Sequence, residues 1–357
     1  MNLPRVLLML LPAMVLGMVP ACKKESGKIK VAVVTNNPAN FWKICDAGAR
    51  KAAKDHDVEL IFRMPEKGDP GTQREIVKSL MEQGISGIAI SVIDPKEQTR
   101  ELRQVAEKVT LLTMDNDADE SGRLCYVGTD NYSAGRAAGR LVKGALPDGG
   151  DVAIFVGQIT PANARARFQG VVDELAGIAG KNAEGTPVER MIGDKKGFFK
   201  QYGKYYLYSG EAITDGPDES KALENAKSAY EILGDRPDVC FVGLWAYNPP
   251  QILRATAEAK NVKVVGFDED EATLNAIEQG RCVGTIVQDP FNFGYKSVEI
   301  LAAEARGDKS KSNVKPIPYR IVSQKGGPTT KDGDAEIKNL KASEFREQLK
   351  QLLEGAK

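Results

Sequence analysis

The chain has 357 residues, with 49 Lys and Arg balancing 49 Asp and Glu and a single histidine. With no basic block to track a phosphate backbone, nucleic acid is excluded as a partner. One histidine also excludes histidine metal clusters and His-based triads. Allowing for a leader, about 335 residues remain, too many for one compact core and suited to two lobes.

At the start, Arg5 precedes an apolar run, Val6–Val19, interrupted by Pro12. Residues 1–22 read as a secretory signal, because the run is too short to span a membrane comfortably. Val19-Pro20-Ala21-Cys22 resembles the bacterial lipobox, which would make Cys22 a lipidated N-terminus; a plain signal peptide with an incidental cysteine is the alternative. Residues 23–28 read as a solvated tether.

From Ile29 to Val322 short β-branched runs alternate with amphipathic segments. Strands are expected at Lys30–Thr35, Glu59–Arg63, Gly87–Ser91, Thr110–Met114, Leu124–Val127, Asp151–Val156, Val239–Gly243, Lys263–Phe267, Cys282–Val287 and Tyr319–Ser323. Helices are expected at Phe41–His56, Gly71–Gln83, Lys96–Glu107, Ser133–Ala145, Arg165–Leu175, Glu219–Leu233, Pro249–Ala259, Glu271–Gln279 and Asn292–Arg306. The Ala- and Gly-rich first and fourth of these suit close packing on a sheet. About ten strands are too many for one eight-stranded barrel, so the fold class is α/β with two doubly wound parallel sheets. Residues 179–216, rich in Gly, Lys and aromatics, break the rhythm and read as an irregular insertion. Asp334–Leu353 reads as a final helix through Ile337, Leu340, Phe345, Leu349 and Leu352.

Many of these strands end on a polar side chain that a buried strand would not want. Asn36 and Asn37 follow the first, Asp94 the third, Asp115 and Asn116 the fourth, and Asp268 and Gln288 the last two of the central set. In an open parallel sheet the crevice beyond the strand C-termini is where ligands bind, so these groups should converge on one cleft for a polar small molecule.

Chemistry-bearing motifs fail on spacing. Gly197–Lys204 has one residue too many between its glycines for a phosphate loop, and Tyr205 where Ser or Thr must hold Mg²⁺. Asp115, Asp117 and Asp119 imitate a calcium loop, but Glu120 stands at the glycine position and Tyr126 at that of the bidentate Glu. There is no Gly-x-Ser-x-Gly elbow. His56 reads as an exposed helix-end residue. Cys45, Cys125, Cys240 and Cys282 lack Cys-x-x-Cys spacing and read as small buried hydrophobes. No metal, no cofactor and no catalytic residue is expected.

The ordered set Asn36-Asn37-Pro38-Ala39-Asn40-Phe41-Trp42, Thr113-Met114-Asp115, Gly128-Thr129-Asp130-Asn131, Ala164-Arg165-Ala166-Arg167, Val264–Asp268 and Thr285-Ile286-Val287-Gln288 resembles the ribose-binding type of periplasmic sugar-binding protein. The resemblance runs from about Ile29 to Val322. It implies two α/β lobes joined by three crossovers (the type I periplasmic binding protein architecture), hinge closure on a sugar, delivery to an ABC-transporter permease, and no enzymatic step. The implied organisation is lobe one at 29–129 plus 289–317, lobe two at 130–288 plus 318–330, and a C-terminal helical appendage at 331–357. The implied protein is an exported monomer, periplasmic or cell-surface, that meets the membrane only through its lipid anchor. A sugar-sensing receptor feeding a signalling or chemotaxis partner is the alternative.

A sugar presents hydroxyls around apolar C–H faces. By resemblance, Phe41, Trp42 and Trp245 would sandwich the ring, Asp115 and Asp268 would accept from paired hydroxyls, and Arg167 would donate. Asn36, Asn40, Asn116 and Gln288 complete the ligand-binding set. Plainer roles are open for several: a core anchor for Phe41, helix caps for Asp115 and Asp268, a solvated helix face for Arg167 or Arg165. Two departures matter. Asn116 stands where the family often has Arg, and Leu244-Trp245-Ala246-Tyr247-Asn248 where the ribose type carries Asn. Ribose is thereby in doubt, and the expected ligand is a monosaccharide or polyol.

Overall fold

The structure is a computed structural model that describes residues 27–193 and 195–356. The expected signal peptide, Cys22 and most of the expected tether lie outside the described residues.

The first lobe is built in strict alternation: β1 (Lys30–Val34), α1 (Phe41–Asp55), β2 (Glu59–Arg63), α2 (Pro70–Glu82), β3 (Gly87–Ile90), α3 (Pro95–Ala106), β4 (Thr110–Met114) and β5 (Cys125–Val127). The sheet runs β2-β1-β3-β4-β5 and is parallel throughout. Val31–Val34 are each 0% exposed, as expected of a strand covered by helices on both faces.

The second lobe follows with α4 (Asn131–Ala145), β6 (Gly150–Val156), α5 (Ala162–Ala176), β7 (Thr186–Ile192), β8 (Lys195–Tyr202), β9 (Tyr205–Tyr208), β10 (Ile213–Thr214), α6 (Glu219–Leu233), β11 (Val239–Gly243), α7 (Asn248–Ala255), β12 (Val262–Phe267), α8 (Glu271–Glu278) and β13 (Gly284–Val287). The chain then returns to lobe one as α9 (Pro290–Ala305), which packs on α1. It ends in lobe two with β14 (Arg320–Ser323), β15 (Thr330–Asp332), β16 (Ala335–Lys341) and α10 (Ala342–Glu354). The parallel centre of the second sheet is β13-β12-β11-β6.

The passages between lobes lie against one another. Ile317 donates its backbone N–H to the Gly128 carbonyl at 2.8 Å, and Arg320 pairs with Asp289 at 2.5 Å. Each lobe carries one helix crossing so tight that only glycine fits. A Cβ on Gly48 of α1 would sit 1.9 Å from the Phe291 carbonyl oxygen, and one on Gly294 of α9 2.0 Å from that of Cys45. In lobe two, Gly135 of α4 and Gly170 of α5 meet the Arg167 and Tyr132 carbonyls, both at 2.2 Å. The glycines of α1 and α4 therefore serve helix-on-helix approach, while their alanines, Ala49 and Ala52 of α1 and Ala137 and Ala138 of α4, pack in the core with the strands as expected from sequence.

Two expectations need correction. Residues 179–216 are not irregular: β7, β8 and β9 form an antiparallel meander joined to the sheet by β9 against β6. Its aromatics alternate, with Phe199 and Tyr205 buried while Phe198 points to solvent. The interspersed Lys and Gly hid that period of two. The C-terminal stretch 331–357 is not a helical appendage either. Ala335–Lys341 is a strand paired parallel to β14, with Ile337 only 2% exposed, and the helix begins at Ala342. Ile337 and Leu340 are three apart and mimic a helical face, but the open edge of β14 captured them in a ladder.

Candidate functional site

The strand ends set up the site. Asp115 follows β4 and Asp268 follows β12, and both adopt left-handed backbone, at φ 58° and 63°. Among non-glycine residues Asp and Asn tolerate this region best, which explains the residue type at both bends. In each case the backbone still donates to the neighbouring strand, Asp115 to the Val127 carbonyl and Asp268 to that of Ile286. The side chains are thereby released into the gap between the lobes.

Neither aspartate caps a helix. The caps are Asp69, Asp94, Asp130, Asp218, Asp270 and Asp289, whose side chains accept from first-turn backbone N–H groups. Asp94, expected in the cleft, is thus spent on α3. Asp115 and Asp268 are each 5% exposed. Asp115 accepts from Ser91 Oγ at 3.0 Å, and Asp268 from Gln288 Nε2 at 3.0 Å.

Arg167 on α5 is 3% exposed, so it belongs to no solvated face; Arg165 does. Its Nε donates to Asn131 Oδ1 at 2.8 Å and its Nη1 to the Leu244 carbonyl at 2.9 Å, while the guanidinium lies 4.0 Å from the Phe267 ring centroid. Both carboxylates feel its charge, yet burial outweighs it. Burial pushes the Asp115 carboxyl up to about 6, opposed by Arg167 and the Ser91 hydrogen bond and reinforced by Asp268. Burial also raises Asp268, again against Arg167 and Gln288.

Together these groups line a cleft of about 370 Å³ between the lobes, with walls including Asn36, Phe41, Trp42, Asp115, Arg167, Trp245, Asp268 and Gln288. Phe41 is half-buried. Trp42 is 2% exposed, and its Nε1 donates to Asn36 Oδ1 at 3.2 Å and Asn37 Oδ1 at 3.1 Å. It props Phe41 edge-on at 5.0 Å between centroids more than it offers a free face. Trp245 stands in the opposite wall, edge-on to Tyr247 at 6.1 Å. Its turn is held by buried Asp215, which accepts from the Tyr247 hydroxyl and from Asn248 Nδ2, while Asn248 Oδ1 accepts from the Trp245 N–H at 3.1 Å.

Two expected residues are not on the cleft wall. Asn40 is exposed at the N-terminus of α1, with no side-chain cap. Asn116 is 1% exposed: its Nδ2 donates to the Val92 carbonyl and its Oδ1 accepts from the Asn163 N–H at 3.3 Å. Its amide joins lobe one to α5 of lobe two instead of meeting the cleft, because the left-handed bend at Asp115 turns successive side chains different ways.

Asn37, expected at the cleft with Asn36, lines it; sequence reasoning missed Glu66, Gln158, Asn163 and Tyr247, which line it too. Gln158 follows β6 and Glu66 follows β2, so the strand-end rule that picked Asp115 could have found them. Asn163 lies at the start of α5, four residues before Arg167. Three buried polar atoms of the lining have no partner among the described residues: Trp245 Nε1, Asn163 Oδ1 and Gln288 Oε1. Unmet groups at this depth are costly, and together they ask for a ligand with both donors and acceptors.

The architecture and cleft are those of a two-lobed receptor for small solutes. The chain belongs to the periplasmic binding protein family: the sequence model of the periplasmic binding protein domain matches residues 30–309. That membership implies an exported, periplasmic protein, and no helix among the described residues is long and apolar enough to cross a membrane. The chain is similar to the D-ribose/D-allose-binding protein of Pseudomonas aeruginosa, at 24% identity over 83% of this chain and 89% of that one. The ribose import binding protein RbsB of Bacillus subtilis is 24% identical over 85% and 89%. These relatives are named as binding proteins, not enzymes. Among solved structures, GanP, a glucose-galactose binding protein from Geobacillus stearothermophilus, superposes with a TM-score of 0.71 at 25% identity, covering 85% of this chain and 99% of that one. An ABC transporter solute-binding protein from Burkholderia graminis, in complex with D-arabinose, gives 0.72 at 24% identity, covering 85% and 97%.

Proposed function

We propose that this protein captures a monosaccharide or polyol between its lobes and delivers it to an ABC-transporter permease, as a monomer held to the membrane by a lipid on Cys22. The observation that carries the reading is the pair of buried aspartates, Asp115 from lobe one and Asp268 from lobe two, at corresponding strand ends in one cleft and both within the field of Arg167. Carboxylates accept from adjacent hydroxyls in charge-assisted bonds, and the half-buried rings of Phe41 and Trp245 suit the apolar faces of a sugar.

The relatives support this, since those named above bind ribose, allose, glucose-galactose or arabinose. Each lobe alone holds only part of the polar groups. A ligand touching both therefore favours the closed form, by no more than its difference in affinity between open and closed states. The interlobe bond between Asn116 and Asn163 adds to that closed form. Crossings near 128–130, 288–290 and 316–319 serve as the hinge, with residues 331–357 moving as part of lobe two.

A thermal-shift screen of the purified chain against pentoses, hexoses, cyclic polyols, amino acids and nucleosides tests the reading. Stabilisation by at least one sugar or polyol, and not by the other classes, is the expected result. A chain stabilised only by amino acids or nucleosides overturns it.

A further inference from the structure

The charges of the cleft do not balance. Its lining carries two buried carboxylates, Asp115 and Asp268, and an exposed one at its rim, Glu66, against one guanidinium, Arg167. That guanidinium already serves Asn131 and the Leu244 carbonyl and lies over Phe267, so part of its donor capacity is spent within the protein. The position beside Asp115 supplies no second cation, because Asn116 is neutral and its amide is tied to Val92 and Asn163. Behind Asp268 stands Glu269, whose Oε2 is buried without a partner among the described residues.

The unmet hydrogen-bonding atoms lean the same way. Two of the three in the lining, Asn163 Oδ1 and Gln288 Oε1, are acceptors on side chains 8% and 1% exposed. A hydroxyl brings one donor and an acceptor of its own. An ammonium brings three donors, no acceptor and a positive charge. In a buried cleft with surplus carboxylate, that group repairs both imbalances at once, and the aromatic walls favour a cation over their faces.

We propose that the cleft selects a carbohydrate bearing a protonated amine, an amino sugar or amino-polyol, whose ammonium sits between Asp115 and Asp268. The proposal rests on the carbohydrate reading above and narrows it. Buried acceptors in surplus discriminate strongly, because a ligand lacking the matching donor leaves them unpaired.

The test is calorimetric titration at pH 7 with matched pairs: glucosamine and glucose, galactosamine and galactose, mannosamine and mannose, glucamine and sorbitol. At least one amine should bind about tenfold or more tighter than its parent, the ratio expected when a charged donor replaces a neutral one. Asp115→Asn and Asp268→Asn, checked for folding by their melting curves, should shrink that ratio toward one. If the neutral partner of every pair binds as tightly as its amine or tighter, the amine proposal is wrong and the carbohydrate reading stands. If neither member of any pair binds the folded chain, and the wider sugar screen is also silent, both fail.

Discussion

Replacing Asp268 by Asn keeps side-chain shape and keeps a residue that tolerates the left-handed bend at φ 63°. Only the charge is removed. In the free protein this costs little: a neutral amide replaces a buried carboxylate facing Asp115, and the 3.0 Å contact with Gln288 can be remade through the amide oxygen. The melting temperature of the ligand-free chain should therefore stay within about 2 °C. Binding should suffer far more. A hydrogen bond to a charged acceptor contributes about 1.5–3 kcal/mol and a neutral one about 0.5–1.5. Weakening two such contacts loses about 2–3 kcal/mol, which raises Kd about 30- to 150-fold. Titration calorimetry on the tightest-binding carbohydrate, alongside thermal melts without ligand, measures both sides. A Kd within threefold of wild type in a normally melting variant refutes the placement of Asp268 at the ligand.

Because burial lifts the Asp115 carboxyl to about 6, it loses its charge as pH falls through that value, and Asp268 shifts in the same direction. Affinity should fall as pH is lowered from 7 to 5, and a flat calorimetric profile contradicts the role of these carboxylates as ionised acceptors. For Arg167→Leu, the two buried carboxylates lose their shared cation. Urea denaturation should show about 3–5 kcal/mol less stability at pH 7, with part of the loss recovered at pH 5 as protons replace the guanidinium. Gly170→Val forces a side chain against the Tyr132 carbonyl, 2.2 Å from where its Cβ would lie. It should cost about 1–3 kcal/mol or more in the same assay, and it should also weaken binding by moving α5 and Arg167; unchanged stability contradicts the tight crossing. Asn116→Ala removes the interlobe bond to Asn163. Dissociation should speed up several-fold in stopped-flow, and because the buried Val92 carbonyl also loses its donor the ligand-free chain should be about 1–3 kcal/mol less stable.

Much of this was legible in the sequence because the signal is local. β-branched runs such as Val31–Val34 and Val262–Phe267 name buried parallel strands, and a polar residue just beyond such a run points to a cleft as one of its uses. That rule found Asp115, Asp268 and Gln288. It failed for Asp94 and Asn116, since a strand end can equally feed a helix cap or an interlobe contact, and only the backbone direction after the strand decides which. The residue type of Trp42 suits a ring sandwich, but its indole N–H is engaged by two asparagines, a contact that local sequence does not reveal. Asn163 was invisible, as its place depends on how the α4–α5 crossing turns the helix, a tertiary fact set by Gly135 and Gly170. The strand at Ala335–Lys341 was lost for the same reason: its apolar spacing fits a helix until the free edge of β14 is known.

A crystal structure of the chain with the tightest-binding carbohydrate bears most directly on the central claim. The account predicts one ligand between the lobes, with polar atoms within about 3 Å of both Asp115 and Asp268 and a ring face against Phe41 or Trp245. A ligand held by one lobe alone, or seated elsewhere with both carboxylates untouched, contradicts it.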